Sequence, residues 1–350
     1  MFDNDILILK ADEILSLLEG QELEIIRTVR LAYEAHAGGD SSLPHSTFLN
    51  FPADQRNRII ALPAYLGDEF GVAGIKWVSS FPGNLERGLD RASAVVILNS
   101  SETGRPEAVI EGSVISAKRT AASAALAAQR LTTGNHVERM GLLGGGLINF
   151  EIARFVLAAC PEVKVLTVFD LDPNRAKHFA RKCRQAFGHV KLEIAEDVET
   201  LFGNNSLISI ATTAARPHLF DLSACAPGST ILHISLRDLS PELILASDNI
   251  VDDVSHVCRA QTSLHLAEQQ TGQRDFIRCT LADILKERAP ARRDDRSIAV
   301  FSPFGLGVLD IALGKLVCEM ARSQSRGSLI NSFLPGSWSE EETAKPAHGV

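Results

Sequence analysis

Three consecutive glycines in the middle of the 350-residue chain have the surroundings of a dinucleotide-binding turn. A short apolar run precedes Gly144, Gly145 and Gly146, and apolar residues at helical spacing follow them. Such a turn lets the backbone approach a pyrophosphate, while the start of the next helix offers free N–H groups. Asp170 ends a second, β-branched run, where a carboxylate can bind ribose hydroxyls. The pattern predicts a nucleotide site, and Asp170 favours NAD over NADP.

The third glycine position of the usual dinucleotide pattern holds Asn149 in this chain. We expect looser packing of the following helix from this departure. Two interpretations stay open, a nucleotide site and an ordinary βαβ turn without a ligand. Arg175 and Lys177 weaken the preference for NAD, because a basic side chain near the ribose accommodates a 2′-phosphate.

Two cations and one carboxylate have the chemistry to bind and activate an anionic substrate. Arg119 is predicted in the first turn of an alanine-rich helix over 114–131, where it opposes the helix dipole unless a substrate carboxylate or cofactor phosphate lies nearby. Lys76 lies in a strand-like run, either as an edge-strand guard or facing a cavity. Asp238 follows a predicted strand over 229–235, where a carboxylate can act as general base or cap the next helix.

The order of predicted elements indicates how these groups are held. Strands alternate with short helices over 131–305, which predicts an α/β fold with a doubly wound parallel (Rossmann) sheet. The earlier residues predict one long helix over 11–37 and a mixed, largely antiparallel sheet. We expect the Rossmann domain to be inserted into an α+β substrate-binding and dimerisation domain formed by 1–130 and 306–335. The active site should lie in the cleft between them, and 336–350 should form a flexible tail.

Composition limits the classes of partner. The chain carries 35 Lys and Arg against 43 Asp and Glu, and the basic segment 286–296 is interleaved with acids, as expected of a solvated loop. The net charge of −8 argues against nucleic acid and anionic membranes as partners. The amino terminus lacks the positive charge of a signal peptide and no apolar run is long enough for a membrane span, so we expect a cytoplasmic protein. Six cysteines without a CxxC pair predict reduced, packed thiols and no metal site.

Several segments together resemble the ornithine cyclodeaminase and mu-crystallin family over nearly the whole chain. The segments are GIKW with Lys76, RASAVVILNSSETGRPEAVIEGSVISAKRTAASAALAA, GLLGGGLINFEIARF, VFDLDP, HISLRDLSPEL and SPFGLGVLDIALG. RIIALPAYLG and GLDRASAVVILNS look most like its SbnB-type branch, the dehydrogenases of 2,3-diaminopropionate synthesis. The resemblance implies NAD-dependent oxidation of N-(2-amino-2-carboxyethyl)-L-glutamate and hydrolysis of the imine to 2-oxoglutarate and L-2,3-diaminopropionate, for siderophore or peptide-antibiotic synthesis.

The same resemblance implies roles for individual residues. Asp238 matches the catalytic aspartate, Lys76 a catalytic and substrate-binding cation, and Arg119 a cation that contacts substrate and cofactor. Positions that match cofactor contacts are Thr120, Gly144, Gly145, Gly146, Leu147, Ile148, Asp170, Thr212, Ser235 and Ser302. Asn50 takes a substrate-binding position where the family usually has an arginine, and Arg56 or Arg58 is available to replace it.

The resemblance leaves other functions open. Related activities are ornithine cyclodeamination, alanine dehydrogenation and imine reduction, and mu-crystallin is understood to bind nucleotide and a small ligand without catalysis. The joint presence of Lys76, Arg119 and Asp238 favours an enzyme. The family further implies a homodimer formed through the amino-terminal sheet and, as pathway partner, a cysteine-synthase-like enzyme that makes the conjugate.

Overall fold

The computed structural model describes residues 4–54, 56–132 and 137–335. Its strands are β1 (Ile6–Leu9), β2 (Ser41–Ser42), β3 (Thr47–Asn50), β4 (Arg58–Leu66), β5 (Val72–Ser80), β6 (Ala92–Ser100), β7 (Pro106–Glu111), β8 (Arg139–Leu143), β9 (Val165–Phe169), β10 (Lys191–Ile194), β11 (Leu207–Ile210), β12 (Thr230–His233), β13 (Asp248–Val251), β14 (Ile277–Thr280), β15 (Ala299–Ser302) and β16 (Ser328–Ile330). Its α-helices are α1 (Ala11–Leu17), α2 (Glu22–Gly38), α3 (Gly112–Leu131), α4 (Leu147–Ala159), α5 (Pro173–Ala186), α6 (Val198–Gly203), α7 (Pro241–Ala246), α8 (Val254–Val257), α9 (Ser263–Thr271), α10 (Leu281–Leu285) and α11 (Gly307–Ser323).

The strands in the middle of the chain form one parallel sheet. Their order is β10-β9-β8-β11-β12-β15-β13-β14, and every adjacent pair is parallel. The central strands β11 and β12 are buried along their whole length, which is typical of a parallel sheet covered by helices on both faces. The predicted doubly wound fold is confirmed. The edge strand β14 is only partly buried and lacks the apolar run by which the other strands are predicted.

The remaining strands form a mixed sheet in the order β16-β1-β7-β6-β5-β4-β2, with β3 also paired to β4. Its adjacent strands are antiparallel except β1 and β7. The late strand β16 pairs with β1, so the segment after α11 returns to the amino-terminal sheet. On this arrangement we propose that 131–305 is a cofactor domain inserted between the two parts of the other domain.

Helix α3 joins the two sheets and is buried along most of its length. It begins at Gly112 because the Glu111 carboxylate accepts hydrogen bonds from the N–H groups of Ser113 and Val114, at 2.8 and 3.0 Å. The prediction that Arg119 lies in the first turn is therefore wrong. Arg119 lies about two turns into the helix, so its position must be explained by a contact other than the dipole.

Two further predictions are wrong in part. The long amino-terminal helix divides into α1 and α2 around Gly20, since glycine is a poor helix former. The segment 286–296 is not wholly a solvated loop, because the half-buried Arg292 donates to the Leu131 carbonyl oxygen at 2.8 Å and to Thr230 Oγ1 at 3.0 Å. Arg292 thereby ties the end of α3 to β12.

The remaining expectations concern thiols, membranes and metals. All six cysteines lie within the described residues and are free thiols, as predicted, and burial raises the pKa of Cys160 to about 12. Within residues 4–54, 56–132 and 137–335, no helix combines the length and apolar character needed to cross a bilayer. The same residues contain no group of three or more His, Cys, Asp or Glu placed to hold a metal ion. The tail predicted over 336–350 lies outside the described residues.

Candidate active site

The glycine-rich turn connects β8 to α4 at the centre of the parallel sheet. Gly144 has a φ of +102°, and a Cβ there would lie 2.5 Å from the Ala211 carbonyl oxygen, so only glycine fits. A Cβ at Gly146 would meet nothing within 4 Å. Leu147 follows as the first residue of α4, and Ile148 packs against the hydrophobic core. The free N–H groups of the helix start therefore border open space.

Asn149 stabilises the glycine turn. Its side chain is fully buried, and Nδ2 donates to the carbonyl oxygens of Leu143 and Gly144 at 2.9 and 2.8 Å. Its Oδ1 accepts a hydrogen bond from Ser209 Oγ at 2.8 Å. The expectation of looser packing at this position is wrong, because these bonds tie β8, the turn and β11 together.

Asp170 contacts the turn from the neighbouring strand. It follows β9 directly, and its Oδ2 accepts a hydrogen bond from the Gly145 N–H at 2.7 Å. Its Oδ1 accepts one from the Asp172 N–H at 3.0 Å. Arg175 Nε lies 3.6 Å from Asp170 Oδ2. The carboxylate is thus fixed beside the turn, where the ribose of a bound dinucleotide would lie.

Lys76 and Arg119 converge on a carboxylate that the sequence did not single out, Asp310 in the first turn of α11. Lys76 Nζ lies 2.7 Å from Asp310 Oδ2, and Arg119 Nε donates to Oδ1 at 2.9 Å. Ser116 Oγ on α3 lies 3.2 Å from Lys76 Nζ and 3.5 Å from Arg119 Nη2. All three charged side chains are buried, Asp310 completely. Because two cations share one carboxylate, the cluster keeps a positive charge for a further anion.

Lys76 lies on the interior strand β5, between β4 and β6, so the alternative of an edge-strand guard is wrong. The residue is only 2% exposed. Burial and the neighbouring Arg119 charge lower the pKa of Lys76 to about 8, although Asp310 acts in the opposite direction. Lys76 therefore loses its proton within the pH range of an ordinary enzyme assay.

Gly305 makes room for the Arg119 guanidinium. It has a φ of +90°, and a Cβ there would lie 2.7 Å from Arg119 Nη1. The N–H groups of Gly305 and Phe304 donate to the two carboxylate oxygens of Asp252, at 2.7 and 2.9 Å. The loop before α11 is thus fixed in a position that places backbone, rather than a side chain, against the arginine.

Asp238 lies in the loop after β12 and is fully buried. Its Oδ1 accepts a hydrogen bond from the Thr212 hydroxyl and its Oδ2 one from the Ser235 hydroxyl. Burial acts to raise the pKa of Asp238, but the adjacent His233 ring and the two hydroxyl groups outweigh it and hold that pKa below its usual range. The helix-cap alternative is wrong, because Ser240 caps α7. Asp238 is an ionised carboxylate at neutral pH.

Two histidines flank Asp238, and sequence reasoning missed both. His218 Nε2 lies 3.1 Å from Asp238 Oδ1, and its side chain is 41% exposed. An Nε2–H that donates to the carboxylate leaves Nδ1 to accept a proton. The Nε2 atom of the buried His233 lies 3.2 Å from the Asp238 backbone nitrogen and 3.4 Å from Asp238 Oδ2, and its Nδ1 lies 3.3 Å from Ser302 Oγ. Asp238 is therefore linked to solvent through the His218 ring, while the Ser302 hydroxyl is turned to His233.

The other predicted site residues differ in their surroundings. Thr120 is half buried on α3, next to Arg119. Asn50 is exposed at the end of β3 and is paired in register with Arg58 on β4. Arg56 forms a bidentate contact with Asp54, at 3.0 and 2.9 Å, on the surface. Of the two arginines that could replace an arginine at position 50, only Arg58 faces Asn50 across a strand pair.

A curated relative has a similar length and a related sequence. The chain is 27% identical over 308 residues to N-((2S)-2-amino-2-carboxyethyl)-L-glutamate dehydrogenase of Staphylococcus aureus. The matched residues cover 86% of this chain and 91% of that relative. The similarity thus extends over both proposed domains.

Two solved structures have the same fold as this chain, and a family model matches its sequence. The structure of Thermococcus litoralis Δ1-pyrroline-2-carboxylate reductase, in complex with NADH and L-proline, matches with a TM-score of 0.84 and 25% identity, over 92% of this chain and 99% of that chain. An archaeal alanine dehydrogenase dimer with bound NAD matches with a TM-score of 0.83 and 26% identity, over 93% and 99%. The model of the ornithine cyclodeaminase/mu-crystallin family matches residues 7–325, and the chain belongs to this family.

Proposed function

We propose that the protein catalyses the NAD-dependent oxidative cleavage of N-(2-amino-2-carboxyethyl)-L-glutamate to 2-oxoglutarate and L-2,3-diaminopropionate. The proposal rests on the convergence of Lys76 and Arg119 on Asp310, which keeps positive charge in a buried site for a substrate carboxylate. The similarity to the Staphylococcus aureus dehydrogenase, which is named for this conjugate, supports the choice of substrate. The coarser statement follows from the family and its members: the chain is an NAD-dependent oxidoreductase that acts on amino-acid C–N bonds.

NAD fits the residues of the glycine turn. Open space at Gly146, beside the start of α4, suits the pyrophosphate, and the Asp170 carboxylate suits the ribose hydroxyls. Arg119, Thr120 and Thr212 are proposed as further contacts. When bound, NAD accepts the hydride that leaves the substrate α-carbon.

Substitution of the two outer glycines of the turn should have different effects, one on stability and one on NADH affinity. Gly144→Ala should lower the free energy of unfolding by more than about 1 kcal/mol, because its φ and the Ala211 carbonyl oxygen both exclude a Cβ. Gly146→Ala should unfold at the wild-type temperature and yet bind NADH more weakly, because its Cβ enters the space proposed for the pyrophosphate. Thermal unfolding and NADH fluorescence titration measure the two effects. Equal NADH affinity of Gly146→Ala and wild type would contradict the placement.

In the proposed mechanism, Lys76 and Arg119 hold the glutamate α-carboxylate and so fix the reacting α-carbon. Oxidation removes a hydride from that carbon and a proton from the amine nitrogen, and a C=N bond forms. Water adds to the carbon and the C–N bond breaks. The carbon leaves as the carbonyl of 2-oxoglutarate, and the nitrogen stays on diaminopropionate. We assign proton uptake to the His218 ring, whose Nε2 lies 3.1 Å from the buried Asp238 carboxylate.

The substrate is tested with purified protein, NAD and the synthetic conjugate. NADH absorbance should rise, and mass spectrometry should find 2-oxoglutarate and diaminopropionate in equal amounts. No NADH with the conjugate overturns this substrate. Reduction of a cyclic imine is the second candidate, favoured by the match to the Thermococcus litoralis reductase. Δ1-pyrroline-2-carboxylate with NADH tests that reaction, while ornithine, alanine and ligand binding without turnover complete the panel.

The pH dependence of kcat/KM should report Lys76. The charged ammonium holds the carboxylate, so kcat/KM should fall as pH rises through about 8, where Lys76 loses its proton in the free enzyme. Because the folded pKa lies below the ordinary value of 10.5, the unfolded chain binds this proton more tightly. The cost of burying the charge is full below about pH 8 and is relieved towards pH 10.5.

Lys76→Met provides the control for this profile. The variant should have a raised KM, and its kcat/KM should lack the decrease at alkaline pH that is attributed to Lys76. A decrease in kcat/KM caused by titration of the substrate amine should persist in both proteins. An unchanged decrease in the variant would assign the titration to another group.

We also propose a homodimer formed through the outer face of the mixed sheet. Leu49, Tyr65 and Trp77 face away from the helices and are 48%, 36% and 42% exposed, next to half-buried residues such as Ile75 and Ile97. A two-fold pair buries such an apolar face against itself, and the structurally similar archaeal alanine dehydrogenase is a dimer. Sedimentation velocity measures the oligomeric state. A cysteine-synthase-like enzyme that makes the conjugate stays a prediction for the pathway partner.

A further inference from the structure

Several half-buried arginines have no ion pair among the residues that the structure describes, and three of them concern the proposed site. The three are Arg58 at the start of β4, Arg91 directly before β6, and Arg237 next to Asp238. Arg58 Nε is buried without a hydrogen-bond partner, and Arg237 Nη2 donates only to a backbone carbonyl, that of Ala260, at 2.7 Å. Arg119, by contrast, pairs with a carboxylate, and the half-buried Arg292 donates to the carbonyl oxygens of Leu131 and Ser297. The three arginines therefore lack an ion-pair partner, although the charge of the neighbouring Asp238 acts on Arg237.

Strand register places Arg58 and Arg91 at the same end of the mixed sheet. Arg58 is paired with Ser80 on β5, and Ser80 with Ala92 on β6, so Arg91 begins two strands from Arg58. Two strand spacings correspond to about 10 Å between backbones, a distance that long arginine side chains bridge. Arg91 thus lies at the same end of the sheet as Arg58, close enough for its charge to act on the Arg58 guanidinium.

The same register relates these arginines to the buried cation cluster. Lys76 is paired with Leu62, four residues along β4 from Arg58, so both side chains lie on the face of the sheet that carries α3 and α11. Four residues of strand span about 13 Å. Lys76 and Arg58 therefore lie on one face of the sheet, with Arg58 at its end.

Arg237 lies in the loop after β12 of the parallel sheet, within the electrostatic influence of Arg58 and Arg91. Burial lowers its pKa, and the charges of Arg58 and Arg91 lower it further, while Asp238 acts in the opposite direction. Burial also lowers the pKa of Arg58 and Arg91. Guanidinium groups nevertheless stay charged at neutral pH. Bringing three like charges together costs free energy that a ligand with several anionic groups would recover.

We infer that Arg58, Arg91 and Arg237 form a second anion subsite, which binds the carboxylates of the substrate that are distant from the reacting carbon. The inference rests on the proposed function, in which Lys76 and Arg119 hold the α-carboxylate. The substrate class is then an amine with two or more carboxylates rather than a simple amino acid. Arg58 also stands opposite Asn50, and so supplies across the strand pair the guanidinium missing at that position.

The subsite is tested with Arg58→Gln, Arg91→Gln and Arg237→Gln and two substrates. One is the full conjugate, and the other is N-(2-aminoethyl)-L-glutamate, which lacks the carboxylate of the carboxyethyl group. A hydrogen bond to a charged group contributes about 1.5–3 kcal/mol, so KM for the full conjugate should rise about 10- to 100-fold in each variant at little change in kcat. If an arginine contacts this carboxylate, its substitution should change KM for the shortened substrate much less than KM for the full conjugate. Arg56→Gln, which removes a surface arginine paired with Asp54, should match wild type.

Two further measurements keep this result interpretable. Arg237→Lys should recover part of the lost affinity if Arg237 binds an anion, but not if it only supports the Ala260 loop. Wild-type KM for the full conjugate in all three variants overturns the subsite, whereas equal KM increases for both substrates assign an arginine to the γ-carboxylate, which both substrates carry. If wild type does not oxidise the conjugate, the proposed function fails, and the subsite is decided by binding alone. Tricarballylate should then raise the unfolding temperature of wild type and not of the triple variant, whereas equal shifts overturn the subsite.

Discussion

Asp238→Asn is expected to lower kcat by about 10²- to 10⁴-fold while NADH affinity stays close to wild type, which is the range for loss of an acid–base group. Asparagine keeps the shape of the side chain and removes its charge. The Thr212 and Ser235 hydroxyls then face a neutral amide, and the His218 ring loses the carboxylate that lies 3.1 Å from its Nε2. Single-turnover kinetics with the conjugate measure the chemical step, and fluorescence titration measures NADH binding.

His218→Gln distinguishes the route of the proton. Asp238 is fully buried whereas His218 is 41% exposed, so we expect protons to reach solvent through the His218 ring. Substitution of either residue should therefore lower kcat by a similar factor. A large loss in Asp238→Asn with wild-type turnover in His218→Gln would mean that the carboxylate itself contacts the substrate. Wild-type turnover in Asp238→Asn would remove it from the mechanism altogether.

Asp310→Asn should have the largest effect on stability. The substitution leaves Lys76 and Arg119 buried beside each other without a countercharge, and breaking a buried pair in this way costs about 3–5 kcal/mol. Urea unfolding measures the loss. The pKa of Lys76 should also fall further below 8, because the group that opposes its decrease is gone, so the alkaline limb of kcat/KM moves to lower pH.

Two variants serve as controls for Asp310. Asp54→Asn breaks the exposed pair with Arg56 and should cost less than about 1 kcal/mol. The double variant Lys76→Met with Asp310→Asn should be more stable than Asp310→Asn alone, since it removes one of the two uncompensated cations. Equal stability of Asp310→Asn and Asp54→Asn would show that the buried ion pairs contribute no more to the free energy of unfolding than the exposed pair does.

The cofactor half of the site was readable from the chain because its signals are local. The glycine turn, the following helix and Asp170 lie within one βαβ unit, and the apolar runs of the parallel strands repeat at regular intervals. Lys76, Arg119 and Asp238 could be named from their residue types and from the family resemblance. Their partners could not be named in this way.

Asp310 and His218 show why the rest was missed. Asp310 meets Lys76 and Arg119 only after α11 returns to the first sheet, and no periodicity indicates that contact. The sequence offered one signal, an acidic residue inside the apolar run GLGVLDIALG. A carboxylate buried in such a run needs a partner to compensate its charge. His218 lies in the loop between β11 and β12 and contacts Asp238 in the loop that follows β12. Both contacts depend on tertiary structure rather than local sequence.

The bonds that Asn149 makes to the Leu143 and Gly144 carbonyl oxygens have a consequence for cofactor association. They hold the turn in its final shape before any ligand arrives, so the protein is preorganised and little chain entropy remains to be lost on binding. A chain that orders the same turn only around its ligand would bind with lower affinity through identical contacts. The residue that departs from the glycine pattern thus contributes to affinity without touching the cofactor.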